Sequence, residues 1–154
     1  MEKAVIHTKN AEETQKIAKK FAESVKKISS DNAVVIALEG ELGAGKTTFV
    51  QGFMQSFGIT EHVVSPTFVV MKMYAVKKET RHLVHIDCYR LDSPQEILHL
   101  GFENILQDRD AVILIEWAEK IKELLPEDAI WIKFEYGGKP EERILQIKNE
   151  KIKV

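Results

Sequence analysis

Hydrophobic positions in this chain follow two spacings, and the switches between them mark its elements. Ile17, Phe21, Val25 and Ile28 recur every three or four residues with lysines between them, which predicts an amphipathic helix from about residue 11 to 28. Asn10 followed by Glu13 resembles a capping box at its start. Residues 3 to 8 form a short apolar segment, read as an edge strand. Beyond a break at Ser29 to Asn32, Ala33 to Leu38 is an unbroken apolar run, as expected of a strand buried on both faces. A helix then runs to about Phe57 and stops at Gly58.

The second half alternates shorter elements. VVSPTFVVMKMYAV is rich in strand formers, with a turn at Ser65-Pro66, and LVHIDCY follows a polar connection at Lys77 to Thr80. Residues 68 to 88 therefore read as an antiparallel hairpin. Ser93, Pro94 and Glu96 carry the chemistry of a helix start. AVILIEW, residues 111 to 117, is a second strand, apolar but for Glu116, and a short helix after it ends near Pro126. AIWIKFEY and ERILQIK alternate with period two around GGKP, a second hairpin. This order predicts one α/β domain over residues 1 to 154, three layers deep, with helices flanking a mixed parallel and antiparallel sheet.

Composition narrows the function classes. The net charge of −2 is a poor footprint for a protein that grips nucleic acid alone. Lys19, Lys20, Lys26 and Lys27 recur at helical spacing opposite the apolar stripe, so they read as a solvated face. The single cysteine, Cys88, excludes an internal disulfide framework and a cysteine-based metal cluster. No apolar run is long enough to span a membrane, and MEKAVIHTKN lacks a secretory apolar core, so a cytoplasmic protein is expected.

The chemistry lies in GELGAGKTTF, residues 40 to 49, between the first apolar strand and the second helix. Gly40, Gly45, Lys46 and Thr47 match the phosphate-binding pattern G-x-x-x-x-G-K-[ST] in its proper context. From average residue frequencies the four fixed positions arise by chance in roughly one chain of this length in a few hundred. Glycines let Gly43, Ala44 and Gly45 turn successive N–H groups into an anion-binding nest. The helix start, through Lys46, Thr47 and Thr48, adds unpaired N–H groups and partial positive charge. Lys46 reaches the β- and γ-phosphates of a nucleoside triphosphate, and the Thr47 hydroxyl offers oxygen to Mg²⁺.

Such a metal commonly takes a carboxylate from a neighbouring strand end, and both Asp87 and Glu116 qualify. Thr67, in SPTF, stands where a mobile threonine would sense the γ-phosphate, or else is an ordinary turn residue. His85 alternates with Asp87 and either orients it or packs in the core. Trp117 follows Glu116 and either lines the pocket or packs. Arg90 is a weak candidate for offsetting phosphate charge. No N-K-x-D segment is present, so ATP and ADP are expected rather than guanine nucleotides, and the segment around Glu13 and Thr14 is placed to approach the base.

Four stretches, LEGELGAGKTTF, SPTF, HIDCYRL and IEWAE, together with Glu13-Thr14, occur in the order and spacing of one family. The chain resembles the TsaE (formerly YjeE) family, ATPases of tRNA threonylcarbamoyladenosine biosynthesis. The resemblance implies a P-loop ATPase that resets or activates a TsaD–TsaB complex; with a phosphate clamp and a Mg²⁺ site but no convincing arginine finger and no clear general base, the chain alone is expected to hydrolyse ATP slowly until a partner completes the site. That complex attaches threonylcarbamoyl to N6 of adenosine 37, in tRNAs reading codons that begin with A, so tRNA is an indirect partner. It puts the phosphate grip on Gly43, Gly45, Lys46, Thr47 and Thr48, the sensor on Thr67, the acids on Asp87 and Glu116, and the aromatic on Trp117. Where the family often has leucine, this chain has Cys88, one buried apolar residue for another. Two other classes fit a phosphate loop. One is a small-molecule kinase, which usually needs an arginine-rich lid that four arginines at 81, 90, 109 and 143 do not supply. The other is a nucleotide-gated binding module without hydrolysis.

Overall fold

The computed structural model describes residues 3–61, 70–76, 81–149 and 152. Thr67, the Ser65-Pro66 turn and the polar connection at 77 to 80 lie outside the described residues. Among the described residues seven strands form one sheet: β1 (Lys3–Thr8), β2 (Val34–Gly40), β3 (Met71–Ala75), β4 (His82–Asp87), β5 (Ala111–Glu116), β6 (Ile130–Tyr136) and β7 (Arg143–Lys148). Their order is β1-β7-β6-β2-β5-β4-β3. β6, β2, β5 and β4 run parallel at the centre. β7 and β1 continue antiparallel on one side and β3 on the other, so both expected hairpins form and β1 is an edge strand. No helix among the described residues is long and apolar enough to cross a membrane.

The two apolar runs are central because they can be buried on both faces. Along β2, Val34, Ile36 and Leu38 face one layer, while Val35 and Ala37 face the other. The first layer holds helices α1 (Ala11–Lys26) and α2 (Lys46–Ser56). Phe49 of α2 joins it to the sheet, packing edge-on against Phe21 of α1 at 5.5 Å and Phe134 of β6 at 5.6 Å between ring centres. The second layer holds α3 (Gln95–Leu98), α4 (Phe102–Leu106) and a 3-10 helix (Ala118–Leu124), whose Ile97, Phe102 and Ile121 cover Ile113 and Ile115. Helices on both faces of a mixed sheet are the three layers expected.

Local differences have local causes. Asn10 caps α1 by accepting the Glu13 N–H at 2.9 Å, but Glu13 reaches one residue further back than a capping box, to the Lys9 N–H at 2.7 Å. At α3 no side chain caps the start, and Glu96 accepts the Asp92 N–H at 3.2 Å instead. The short helix after β5 is of 3-10 type, broken by Ile121 at φ −122°, ψ 23°. Trp117 leaves the strand through φ 57°, so β5 ends at Glu116 rather than at 117. Lys19, Lys20 and Lys27 are exposed as expected, whereas Lys26 turns back to donate to the Ser56 carbonyl at 2.7 Å.

Candidate active site

The sheet delivers its chemistry at one edge. β2, β4 and β5 end together, with Leu38 opposite Glu116 and Asp87 opposite Glu116 in the parallel registers. Residues 83, 85 and 87 share a face of β4 by alternation, and Leu83 on that face packs under the α1–α2 layer, so His85 and Asp87 lie toward α2. In parallel α/β sheets, ligands bind beyond these carboxyl ends. The loop from Gly40 to α2 crosses this edge.

The loop needs its glycines. Gly40, Gly43 and Gly45 have φ of +150°, +76° and +103°. At Gly40 a Cβ would also stand 2.7 Å from the Phe134 carbonyl oxygen. No side chain caps α2 at Gly45, and its first internal bond is Phe49 N–H to the Gly45 carbonyl at 2.9 Å. The N–H groups of Lys46, Thr47 and Thr48 therefore have no partner inside the helix and are available to an anion. Two β6–β7 side chains hold the loop's tip. Tyr136 donates to the Leu42 carbonyl, and Arg143 donates to the Gly43 carbonyl at 3.0 Å. A trans peptide points its N–H opposite its C=O, so fixing the Leu42 carbonyl on Tyr136 turns the Gly43 N–H away from that side.

Lys46 is 5% exposed. Its ammonium donates to the Gly40 carbonyl and, at 3.0 Å, to that of Glu41, and stands 4.1 Å from the centre of the Trp117 ring. Burial pulls the ammonium below lysine's usual range, while Glu116, Glu119 and Asp87 pull the other way. The cation is thus held inside the loop by neutral carbonyls and a ring face. Those partners are weaker than a phosphate would be.

Glu116 is the hub of the acids. One carboxylate oxygen accepts the Thr47 hydroxyl at 2.7 Å, and the other is 2.6 Å from His85 Nε2. Glu116 and His85 are 3% and 0% exposed, so Glu116 does not end in solvent, and neither does Asp87. Asp87 accepts the Tyr89 N–H at 2.9 Å. His85 thus contacts Glu116 rather than orienting Asp87. Cis oxygens on six-coordinate Mg²⁺ sit about 2.9 Å apart at bond lengths near 2.05 Å, so the Thr47–Glu116 contact fits two neighbouring ligand positions after a slight widening. Among the described residues no three His, Cys, Asp or Glu side chains converge into an all-protein cation cage. Mg²⁺, which keeps several waters, does not need one.

A cleft of about 260 Å³ joins these groups, lined by Leu42 to Thr48, Asp87, Tyr89, Glu116 and Trp117. A second cavity of about 240 Å³ lies on the loop's other flank, between Ala11, Thr14, Gly43, Gly45, Thr48, Glu141 and Arg143. The structure therefore gathers Gly43, Ala44, Gly45, Lys46, Thr47, Thr48, Asp87, Glu116 and Trp117 around one cleft. Thr14 borders the adjoining cavity, hydrogen bonded to Thr8 at 2.8 Å. Glu13 lines neither cavity, its carboxylate being engaged at the α1 start. Arg90 is exposed and also lines neither. Sequence reasoning missed Tyr89, whose ring lies 5.0 Å from that of Trp117, and the Tyr136–Arg143 pair. The only advance signal for Arg143 is its place at the start of ERILQIK.

Comparison with known proteins identifies the family. The family model described as "Threonylcarbamoyl adenosine biosynthesis protein TsaE" matches residues 8–145. The chain is similar to the tRNA threonylcarbamoyladenosine biosynthesis protein TsaE of Bacillus subtilis, 40% identical over 137 residues covering 89% of this chain and 80% of that one. Its likeness to the Haemophilus influenzae protein of the same name is 36% over 121 residues, 79% and 75% of the two chains. The crystal structure of Bacillus subtilis YdiB superposes with a TM-score of 0.74 at 33% identity, covering 95% of this chain and 84% of that one.

Proposed function

Because the chain belongs to the TsaE family, we propose that it binds ATP with Mg²⁺ across the loop and the ends of β4 and β5, and hydrolyses it. Family membership supports a role in tRNA threonylcarbamoyladenosine biosynthesis. In our reading residues 1–154 act as one ATPase unit in the cytoplasm, and hydrolysis resets or activates a TsaD–TsaB complex during modification of adenosine 37.

The observation that carries this reading is the hydroxyl–carboxylate contact of Thr47 and Glu116 beside a buried lysine and an uncapped helix start. Phosphoryl transfer is mainly positioning and charge stabilisation. The N–H groups of Gly43, Gly45, Lys46, Thr47 and Thr48 hold the phosphates, while that of Ala44 donates to the Glu41 carbonyl at 3.1 Å and braces the loop. Lys46 exchanges its two carbonyl partners for phosphate oxygens, a gain because the new partners are charged. Thr47 and Glu116 are the residues that would hold the metal, which when bound would offset negative charge on the phosphates. Asp87 orients the attacking water from the same cleft. Trp117 shields the lysine from solvent, and Thr14 stands nearest the base. Thr67 reports the γ-phosphate to the partner. No arginine in the described cleft faces a transferring phosphate, so turnover is slow until a partner docks.

Single-turnover hydrolysis with and without TsaD–TsaB tests this. The chain alone is expected to release phosphate slowly and the complex faster, with Lys46→Ala abolishing repeated tRNA modification. Fast release by the isolated chain would refute the partner dependence. Tight binding with no phosphate release in the full complex would make the protein a nucleotide-gated module, and a phosphorylated acceptor would make it a kinase.

A further inference from the structure

His85 donates to the acid at the centre of the site, yet the phosphate grip does not touch it. It is wholly buried in β4 beneath α2, and its Nε2 stands 2.6 Å from a Glu116 carboxylate oxygen. Its other ring nitrogen, Nδ1, is buried with no hydrogen-bond partner. Only one tautomer suits these surroundings. With the proton on Nε2, the ring donates to Glu116 and leaves a bare lone pair at Nδ1. Glu116 is therefore held by an imidazole N–H.

We propose that His85 is the positioning residue that makes Glu116 a one-oxygen ligand for the nucleotide's divalent cation. This rests on the reading of Glu116 as the metal-facing acid. A carboxylate at a strand end can rotate and present two oxygens. Here the imidazole takes one, fixes the carboxyl plane, and leaves the other aimed at the Thr47 hydroxyl 2.7 Å away. Lysine or arginine at this depth would also hold Glu116, but with a fixed positive charge that repels the incoming cation. Histidine positions the carboxylate without obliging such a charge, the arrangement by which outer groups tune metal ligands. β-sheet geometry permits this because His85 pairs with Leu114, which puts it one pleat back from Glu116 on the same face.

The test is calorimetric, on the full chain loaded with ADP and titrated with Mg²⁺. His85→Leu is expected to raise the half-saturating Mg²⁺ concentration about tenfold or more, with ADP affinity in the absence of Mg²⁺ unchanged. His85→Gln, whose amide nitrogen reaches the region of Nε2, is expected to restore most of the loss. His85→Asn, whose amide stops near Nδ1, is not. The Gln–Asn pair decides the matter even if the leucine variant fails to fold. An unshifted midpoint in the leucine or asparagine variant, while Glu116→Gln shifts it strongly, would overturn the role of His85 alone. An unshifted midpoint in Glu116→Gln would overturn the metal reading itself, and this proposal with it.

Discussion

Gly52→Ala sets two known effects against each other. Gly52 sits mid-way along α2, and alanine there should favour the helix by about 1 kcal/mol. The position, however, is where α2 meets α1. A Cβ would stand 2.6 Å from the Gln15 carbonyl oxygen and 2.7 Å from its Cα. Both are backbone atoms, so no rotamer change relieves the contact, and the helices must separate by several tenths of an ångström. Overpacking of this kind costs about 1–3 kcal/mol, toward the upper half when backbone must move. The clash therefore wins, with a net loss of about 1–2 kcal/mol. In a chain of this size that is a fall of roughly 2–8 °C in melting temperature. The same displacement carries Thr14 on α1 away from Thr48 on α2, across the second cavity, so ADP affinity should fall as well. Differential scanning calorimetry and ADP titration measure both. A variant as stable as the parent, or more so, would refute the claim that glycine is required by helix contact.

Phe49→Ala removes the ring between Phe21 and Phe134 and should cost about 3–5 kcal/mol by urea unfolding, with much of the phosphate-loop geometry lost alongside. Burial raises the Cys88 thiol to about 12 from its ordinary 9.0. Between those values the folded chain holds a proton that the unfolded chain releases, so this group's contribution is complete below pH 9 and falls as pH rises toward 12, by at most about 1.4 kcal/mol per pH unit. Unfolding curves of Cys88→Ala should accordingly lose stability less steeply over that window. Arg143→Met frees the Gly43 carbonyl and the loop's tip. Calorimetry should show ADP affinity reduced by about three- to tenfold, and an unchanged affinity would deny that this arginine shapes the loop.

The legible parts of the molecule were those written in short stretches. AVVIAL and AVILI are uniformly apolar because strands covered on both faces have no polar side, and they form the body of β2 and β5 at the centre. The loop was legible because an anion nest needs glycines, a lysine and a hydroxyl within eight consecutive residues. Helix and hairpin signals survived for the same reason, and they failed where one residue's geometry decided the outcome, as at Trp117. Periodicity cannot say that a tryptophan will turn through positive φ and lay its ring under Lys46.

What was illegible depends on which distant strands become neighbours. Sequence spacing offered His85 to Asp87, two residues away, because alternation puts them on one face. The parallel pairing of β4 with β5 instead brings Glu116 beside that face, and the imidazole meets an acid 31 residues distant. Arg143 shows the same effect more strongly. It lies 100 residues from Gly43, and only the order β7-β6-β2 carries it to the flank of the loop that β2 feeds. The phosphate loop as a motif is local, but its shape is not. Tyr136 and Arg143 hold the Leu42 and Gly43 carbonyls from a hairpin at the far end of the chain, so the direction of the loop's N–H groups is set by sheet order. A chain bearing the same eight loop residues without that hairpin beside β2 would carry the motif and lack this support for the nest.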